Sequence, residues 1–125
     1  MSGERRATPH ATRHPSQRDL GWAAGFLEGE GCFQTGKGRD GRSRSITVTA
    51  TQVQKEPCER LSAMFGGPVR QYKHSAGSRG QPFYRWTIHG TRARGVMLTL
   101  FSLMSPRRKQ QIRAALLLRI VHASA

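Results

Sequence analysis

Gly21, Gly25 and Gly29 fall at every fourth position of a stretch, LGWAAGFLEGEG, whose apolar residues otherwise repeat as in a helix. A four-residue interval keeps all three on one helix face and leaves a groove without side chains. Each glycine costs a helix about 1 kcal/mol relative to alanine, so a stripe of three calls for a compensating gain. Close approach of another backbone supplies one. Either a segment of the same chain or a second copy of this helix lies against the stripe. Leu20, Ala23, Ala24 and Leu27 form a different, apolar face directed at a core. Ser16, with Asp19 three residues on, reads as a capping box that starts the helix.

The rest of the chain alternates in the same manner. CFQTG is a short strand, the glycine- and arginine-rich stretch 36–43 a turn, and SITVTATQV a strand with strict alternation, together making a hairpin. Lys55 to Phe65 reads as a second helix stopped by Gly66 and Gly67. VRQYKH and PFYRWTIH form a second hairpin across SAGSRGQ. Thr91 is placed to cap a third helix carrying Val96, Met97, Leu100, Phe101 and Met104. Ser105 and Pro106 are an N-cap and first-turn proline for a fourth, apolar at Ile112, Leu116 and Ile120. The expected class is α+β, in the order αββαββα(α). Residues 1–15 are polar, basic and without periodicity, which predicts a disordered arm; residues 16–125 are expected to form one domain. His10 and His14 have helical ligand spacing, but Pro9 and Pro15 argue against a helix there.

Charge narrows the partners. The chain of 125 residues holds 21 Lys and Arg against 7 Asp and Glu, a net +14. So large an excess on one small domain points to a polyanion, with nucleic acid foremost. A membrane surface fits less well, because the basic residues are spread along the chain and no apolar run approaches the ~20 residues of a span. Arginine outnumbers lysine, which suits bidentate contacts to phosphate and guanine, although a biased genome produces the same excess. Cys32 and Cys58 are too few for a disulfide framework and have no zinc-ligand spacing, and the N-terminus shows no apolar signal region. A reducing cytoplasm is the expected compartment.

Glu28 and Glu30 are two of the seven acids and sit where the first helix ends. A carboxylate there faces the negative end of the helix dipole unless a cation offsets it. A solvated helix end is the plain reading; a bound divalent metal is the chemical one. If two copies pack along the glycine stripe, two Glu30 side chains converge into an oxygen-rich pocket suited to Mg²⁺. Glu28 is the weaker ligand, since two residues along a helix it points away from Glu30.

GFLEGEG resembles the LAGLIDADG motif of homing endonucleases. Gly25 matches its first glycine, Phe26 and Leu27 its apolar pair, Glu28 its first acid, Gly29 its small residue, Glu30 its metal-binding acid and Gly31 its closing glycine. Glutamate at position 30 departs from the usual aspartate and moves the carboxylate about one carbon outward. The similarity extends over roughly residues 19–121, because the family's core has the same order of elements, with both hairpins forming a curved antiparallel saddle on DNA. The resemblance implies a sequence-specific DNA endonuclease that depends on Mg²⁺ or Mn²⁺. A single motif implies a homodimer, on a long and roughly palindromic double-stranded site, of the kind encoded by phages or mobile introns and inteins. Its metal would be held at Glu30 beside Gly29. Its dimer interface would run through Gly21, Gly25, Phe26 and Gly29. Gln54, after the second strand, matches a polar group that positions water. Arg107 matches a basic residue near the scissile phosphate, with Arg108 and Lys109 beside it; Arg107 and Lys109 would stabilise charge developing there.

Alternation divides the strands into two faces. Ile46, Val48, Ala50, Val69, Tyr84, Trp86 and Ile88 are expected in the core. Gln34, Ser45, Thr47, Thr49, Thr51, Arg70, Tyr72, Arg85 and Thr87 face outward, where Arg and Gln suit guanine and adenine edges. The threonine row is equally explained by β-propensity on a solvated face. Lys37, Arg39, Arg42, Arg44 and Arg79, on the hairpin turns, are placed for phosphate contacts. Cys32 and Cys58 read as packing residues, with Cys32 next to the proposed metal end. His74 and His89, near strand ends, are either phosphate contacts or simply exposed. Two other roles stay open beside the endonuclease: a DNA-binding regulator of the same fold without cleavage, and an RNA-splicing cofactor.

Overall fold

A computed structural model describes residues 14–37, 44–73 and 80–124, with main chain only at 37, 44 and 118–124. Helix α1 (Gln17–Glu30) leads into β1 (Gly31–Lys37) and β2 (Arg44–Gln52). Helix α2 (Glu56–Phe65) leads into β3 (Val69–Tyr72) and β4 (Phe83–His89). Helix α3 (Gly90–Leu100), a 3-10 turn (Phe101–Leu103) and α4 (Pro106–Ser124) complete the order. The expected α+β succession is the observed one. Residues 1–13, which include most of the arm expected to be disordered, lie outside the described residues.

Local signals start and stop the elements. Ser16 Oγ accepts the Asp19 N–H and the Asp19 side chain accepts the Ser16 N–H, a capping box at the head of α1. Helix and strand join at Gly31 with no linker, and a Cβ there would stand 2.7 Å from the Leu27 carbonyl oxygen. Gly66 and Gly67, both at positive φ, end α2 as expected. Gly67 must be glycine twice over, since a Cβ would also run into Ile88 Cγ2. Helix α3 begins two residues earlier than expected: its N-cap is His89, with no side-chain cap, so Thr91 lies inside the helix. Pro106 opens α4 as read from the sequence.

The four strands form one antiparallel sheet in the order β1-β2-β4-β3. All four helices pack on the face that carries Val48, Ala50, Trp86 and Ile88: α4 against β1 and β2, α3 against β2 and β4, α1 against β1 and β2, and α2 against β4, β2 and β3. The core lies between: Leu27, Ile46, Val48, Cys58, Leu61, Trp86, Met97, Leu100 and Ile112 are fully buried. Trp86 anchors it, its indole N–H donating to the Gly66 carbonyl at 2.8 Å while Phe65 packs against the ring. Thr35, on the helix side of β1, donates to the Ala115 carbonyl of α4 at 2.6 Å. Val69 and Tyr84 pack against the core from its margin. Among the described residues no helix is long and apolar enough to cross a membrane.

Candidate functional site

The helices leave the other sheet face open, and the strand register decides what stands on it. Gln34 pairs with Thr47, Cys32 with Thr49, Thr49 with Thr87, Thr51 with Arg85, and Arg70 with Arg85. Together with Ser45 and Tyr72 these side chains occupy one polar surface, because partners in register share a face. Val48, Ala50, Trp86 and Ile88 take the opposite parity and are buried. Lys37 and Arg44 are register partners where the β1–β2 hairpin leaves the described residues; Arg39, Arg42, His74 and Arg79 lie outside them.

Arg85 is held on this surface from two sides. Its Nε donates to Thr51 Oγ1 at 3.4 Å, and its guanidinium lies 4.8 Å over the ring of Tyr72, which stacks on Phe83 at 5.2 Å. Side bond and ring contact restrict the guanidinium, and neither contact uses its terminal nitrogens as donors. Arg70 lies directly across from it. Like charges opposite one another on a sheet repel, so this pairing favours an anion or an electron-rich base edge between them. Both line a groove of 840 Å³ whose walls also include Tyr72, Thr87, His89 and Arg92, with no carboxylate among its lining residues. Phe83 and His89 follow from the parity of β4 and were legible as members of this face; His89 Nδ1 lies 3.4 Å from Thr47 Oγ1. Arg92 and Thr91 join the groove because α3 starts directly at the end of β4, which the sequence did not reveal.

At the sheet's other edge, α1 runs into β1. Gly21, Gly25 and Gly29 are exposed, and a Cβ built on any of them meets nothing within 4 Å. Among the described residues nothing packs closely on this stripe. The neighbouring apolar face is the reverse: Ala23 and Leu27 are fully buried. Phe26, half-buried, stacks on Trp22 at 5.2 Å, and Arg60 of α2 covers Trp22 at 4.1 Å.

Glu28 and Glu30 part company at the helix end. Glu28 turns inward and accepts two hydrogen bonds from Ser105, one from the backbone N–H at 2.9 Å and one from Oγ at 2.6 Å. Those bonds, with the nearby Arg108 and Arg107 charges, hold its carboxyl below the usual carboxylate range against a partial desolvation. At Glu28, the weaker candidate for a metal, the offsetting cation comes from the chain itself. Arg108 supplies it: Nε donates to the Glu28 carbonyl at 2.9 Å, satisfying one of the last unpaired carbonyls of α1. Arg108 is only 7% exposed and donates through Nη1 to Gln111 at 2.7 Å, so it is no exposed neighbour of Arg107.

Glu30 points the other way. It is exposed, and its carboxylate has no hydrogen bond or ion pair to another described residue. Among the described residues no three His, Cys, Asp or Glu side chains gather into a metal-binding group. One outward carboxylate per chain, next to the backbone of Gly29, still matches what Mg²⁺ takes from proteins, namely one or two carboxylates with water and substrate phosphate completing the shell. Gln54 is exposed in the β2–α2 connection, Arg107 is exposed on the first turn of α4, and Lys109 is half-buried with Nζ 5.6 Å from the Phe101 ring. Cys58 is a packing residue, its thiol pushed up by burial; Cys32 is exposed on the open face.

Among solved structures, the group I intron-encoded homing endonuclease I-CeuI complexed with DNA superposes on this chain with a TM-score of 0.63, over 90% of its length, at 18% identity. The fold is homing-endonuclease-like. It carries four antiparallel strands and four helices in the arrangement that neighbour shares. This chain spans 58% of the length of the I-CeuI chain. No family model matches the sequence, and no curated protein matches it.

Proposed function

We propose that the protein is a sequence-specific, divalent-metal-dependent endonuclease of double-stranded DNA that works as a homodimer of the single-motif LAGLIDADG kind. The observation that carries this reading is the division of α1. Its glycine stripe is bare and its Glu30 end is turned to solvent beside an open, carboxylate-poor sheet face. Two copies meeting along Gly21, Gly25 and Gly29, with Phe26 at the margin, would bury backbone that no described element covers and would bring two Glu30 carboxylates together. The β1 edges then lie centrally and the β3 edges outermost, since α1 adjoins β1 and the sheet order is β1-β2-β4-β3.

Each residue has a task in such a dimer. Glu30, beside Gly29, would hold Mg²⁺ or Mn²⁺, which when bound supplies positive charge at the phosphoryl group under attack. Gln54 orients water. Arg107 and Lys109 offset charge that develops on the phosphate oxygens. Arg85, held by Thr51 and Tyr72, presents its donors to a guanine edge, and Arg70 stands beside it; Gln34, Ser45, Thr47, Thr49 and Thr87 offer further groups to base edges. Lys37, Arg39, Arg42, Arg44 and Arg79 bind phosphates and set the dependence on salt. The same polar face without cleavage would serve a DNA-binding regulator, and a basic surface alone does not distinguish DNA from RNA. An intact, outward Glu30 favours cutting, because a pure binder gains nothing from a carboxylate beside phosphates.

Glu30→Gln tests this. The purified protein is incubated with a host-derived DNA library in Mg²⁺, Mn²⁺ or EDTA, and new ends are sequenced. The native chain is expected to cut one roughly two-fold symmetric sequence only with metal. The variant is expected to lose cutting by ~10³-fold or more while binding DNA as tightly or more tightly. Tight retention of one sequence with no breaks in any metal moves the function to a regulator; a variant that still cuts removes Glu30 as ligand.

A further inference from the structure

Arg108 is a buried cation whose bonds all serve one junction. Its Nε reaches the Glu28 carbonyl, its backbone N–H donates to Ser105 Oγ at 3.2 Å, and Nη1 reaches Gln111 on its own helix. Ser105 in turn gives both its N–H and its hydroxyl to the Glu28 carboxylate. The C-terminal turn of α1 and the N-terminal turn of α4, 77 residues apart in sequence, are thus capped by one another. Glu28 satisfies the head of α4, and Arg108 satisfies the tail of α1. Two functional groups stand at the margins of this junction: Glu30 follows Glu28 by two residues, and Arg107 precedes Arg108 by one. Burying a charge costs more than an apolar side chain of the same volume, so folding stability by itself gives no reason for arginine at position 108. A fixed geometry between two segments does.

We propose that Ser105 and Arg108 are positioning residues, which act through Glu28 to hold Glu30 at a set place relative to Arg107 and Lys109 across the junction of α1 and α4. This rests on the endonuclease reading for its catalytic consequence, while the coupling of the two turns stands without it. A displacement of about 1 Å in a reacting constellation lowers rates by up to ~10²-fold while leaving binding in place.

The test uses the full chain with Ser105→Ala, Ser105→Thr and Arg108→Met; the methionine keeps the packing of the arginine stem and removes its donors. In metal-free buffer, amide hydrogen exchange over residues 28–31 is expected to quicken by ~10-fold in Ser105→Ala, although the change lies on α4, and to return in Ser105→Thr. On the DNA that the native protein cuts, kcat at saturating DNA is expected to fall by ~10-fold or more in Ser105→Ala and Arg108→Met, with Kd for DNA within ~2-fold and recovery in Ser105→Thr. Unchanged exchange over residues 28–31 overturns the coupling. A loss of rate that merely tracks the loss of folded protein and of DNA binding overturns the positioning role. If the native chain cuts no DNA, the endonuclease reading fails, and the exchange arm alone decides whether Ser105 governs the end of α1.

Discussion

Two faces of the same helix are built from equally small residues and have opposite fates. Ala23 and Ala24, with Leu27, lie against the sheet and are buried; Gly21, Gly25 and Gly29 are exposed, and a Cβ on any of them would meet nothing within 4 Å among the described residues beyond the helix's own backbone and its chain neighbours. The described part of the chain packs on the alanine face and leaves the glycine face uncovered. The helix end repeats the split, with Glu28 bonded into the chain and Glu30 turned out of it. What the fold requires and what a partner would require are therefore separable by substitution, residue by residue along fourteen positions of α1.

The sharpest way to break the comparison is to hollow out the inner face. Leu27→Ala removes a fully buried side chain from a small core and is expected to destabilise the protein by ~2–5 kcal/mol, read as a lowered urea midpoint with the slope unchanged. A change under ~1 kcal/mol would mean that α1 contributes little to the core. The outer face should answer with the opposite sign. A Cβ at Gly25 meets no described residue outside its own helix within 4 Å, and Gly25→Leu replaces a poor helix former, so the protomer is expected to gain ~0.5–1 kcal/mol. Association is expected to weaken by at least ~10-fold in sedimentation velocity, because the new side chain occupies the space a second backbone needs. A variant that associates as tightly as the native chain would remove the stripe from the interface.

The elements were legible because each level of the sequence agrees with the next. The capping box at Ser16 and Asp19, the alternation of SITVTATQV, Gly66 with Gly67, and the Ser105-Pro106 start all appear where expected. Strand parity alone placed Gln34, Thr47, Thr49, Thr51, Arg70, Arg85 and Thr87 on the open face. Tertiary partners were not legible. Nothing local distinguishes Arg108 from Arg107 and Lys109 in SPRRK; which of the three turns inward depends on the phase of α4 against the end of α1. The same holds for Glu28, whose partner lies 77 residues away. The start of α3 lies two residues ahead of its expected place for a related reason. Gly90, at φ 62, lets the chain turn from strand to helix without a side-chain cap, so Thr91 was not needed for that role.

The smallest effect expected tests the inner carboxylate through pH. Glu28 has a depressed pKa in the folded protein, chiefly because the Ser105 hydroxyl and then its N–H bond to the ionised form. The unfolded chain binds that proton more readily than the folded one does. Glu28 therefore contributes its full stabilisation above the ordinary carboxylate range, and loses it as pH falls through the lower folded value. Glu28→Gln keeps the shape, and its amide oxygen still accepts one bond from Ser105, but it carries no titrating charge. The difference in Tm between the native chain and Glu28→Gln, measured with EDTA present, is expected to be constant from neutral pH down to the ordinary carboxylate range and to shrink below it. Glu30→Gln serves as the control. Its carboxylate has no hydrogen bond or ion pair to another described residue, so removing its charge from a strongly basic molecule should change Tm little at neutral pH. If the native chain and Glu28→Gln instead lose Tm in parallel on acidification, the Ser105 bonds do not stabilise the ionised form, and the inward turn of Glu28 contributes shape without charge.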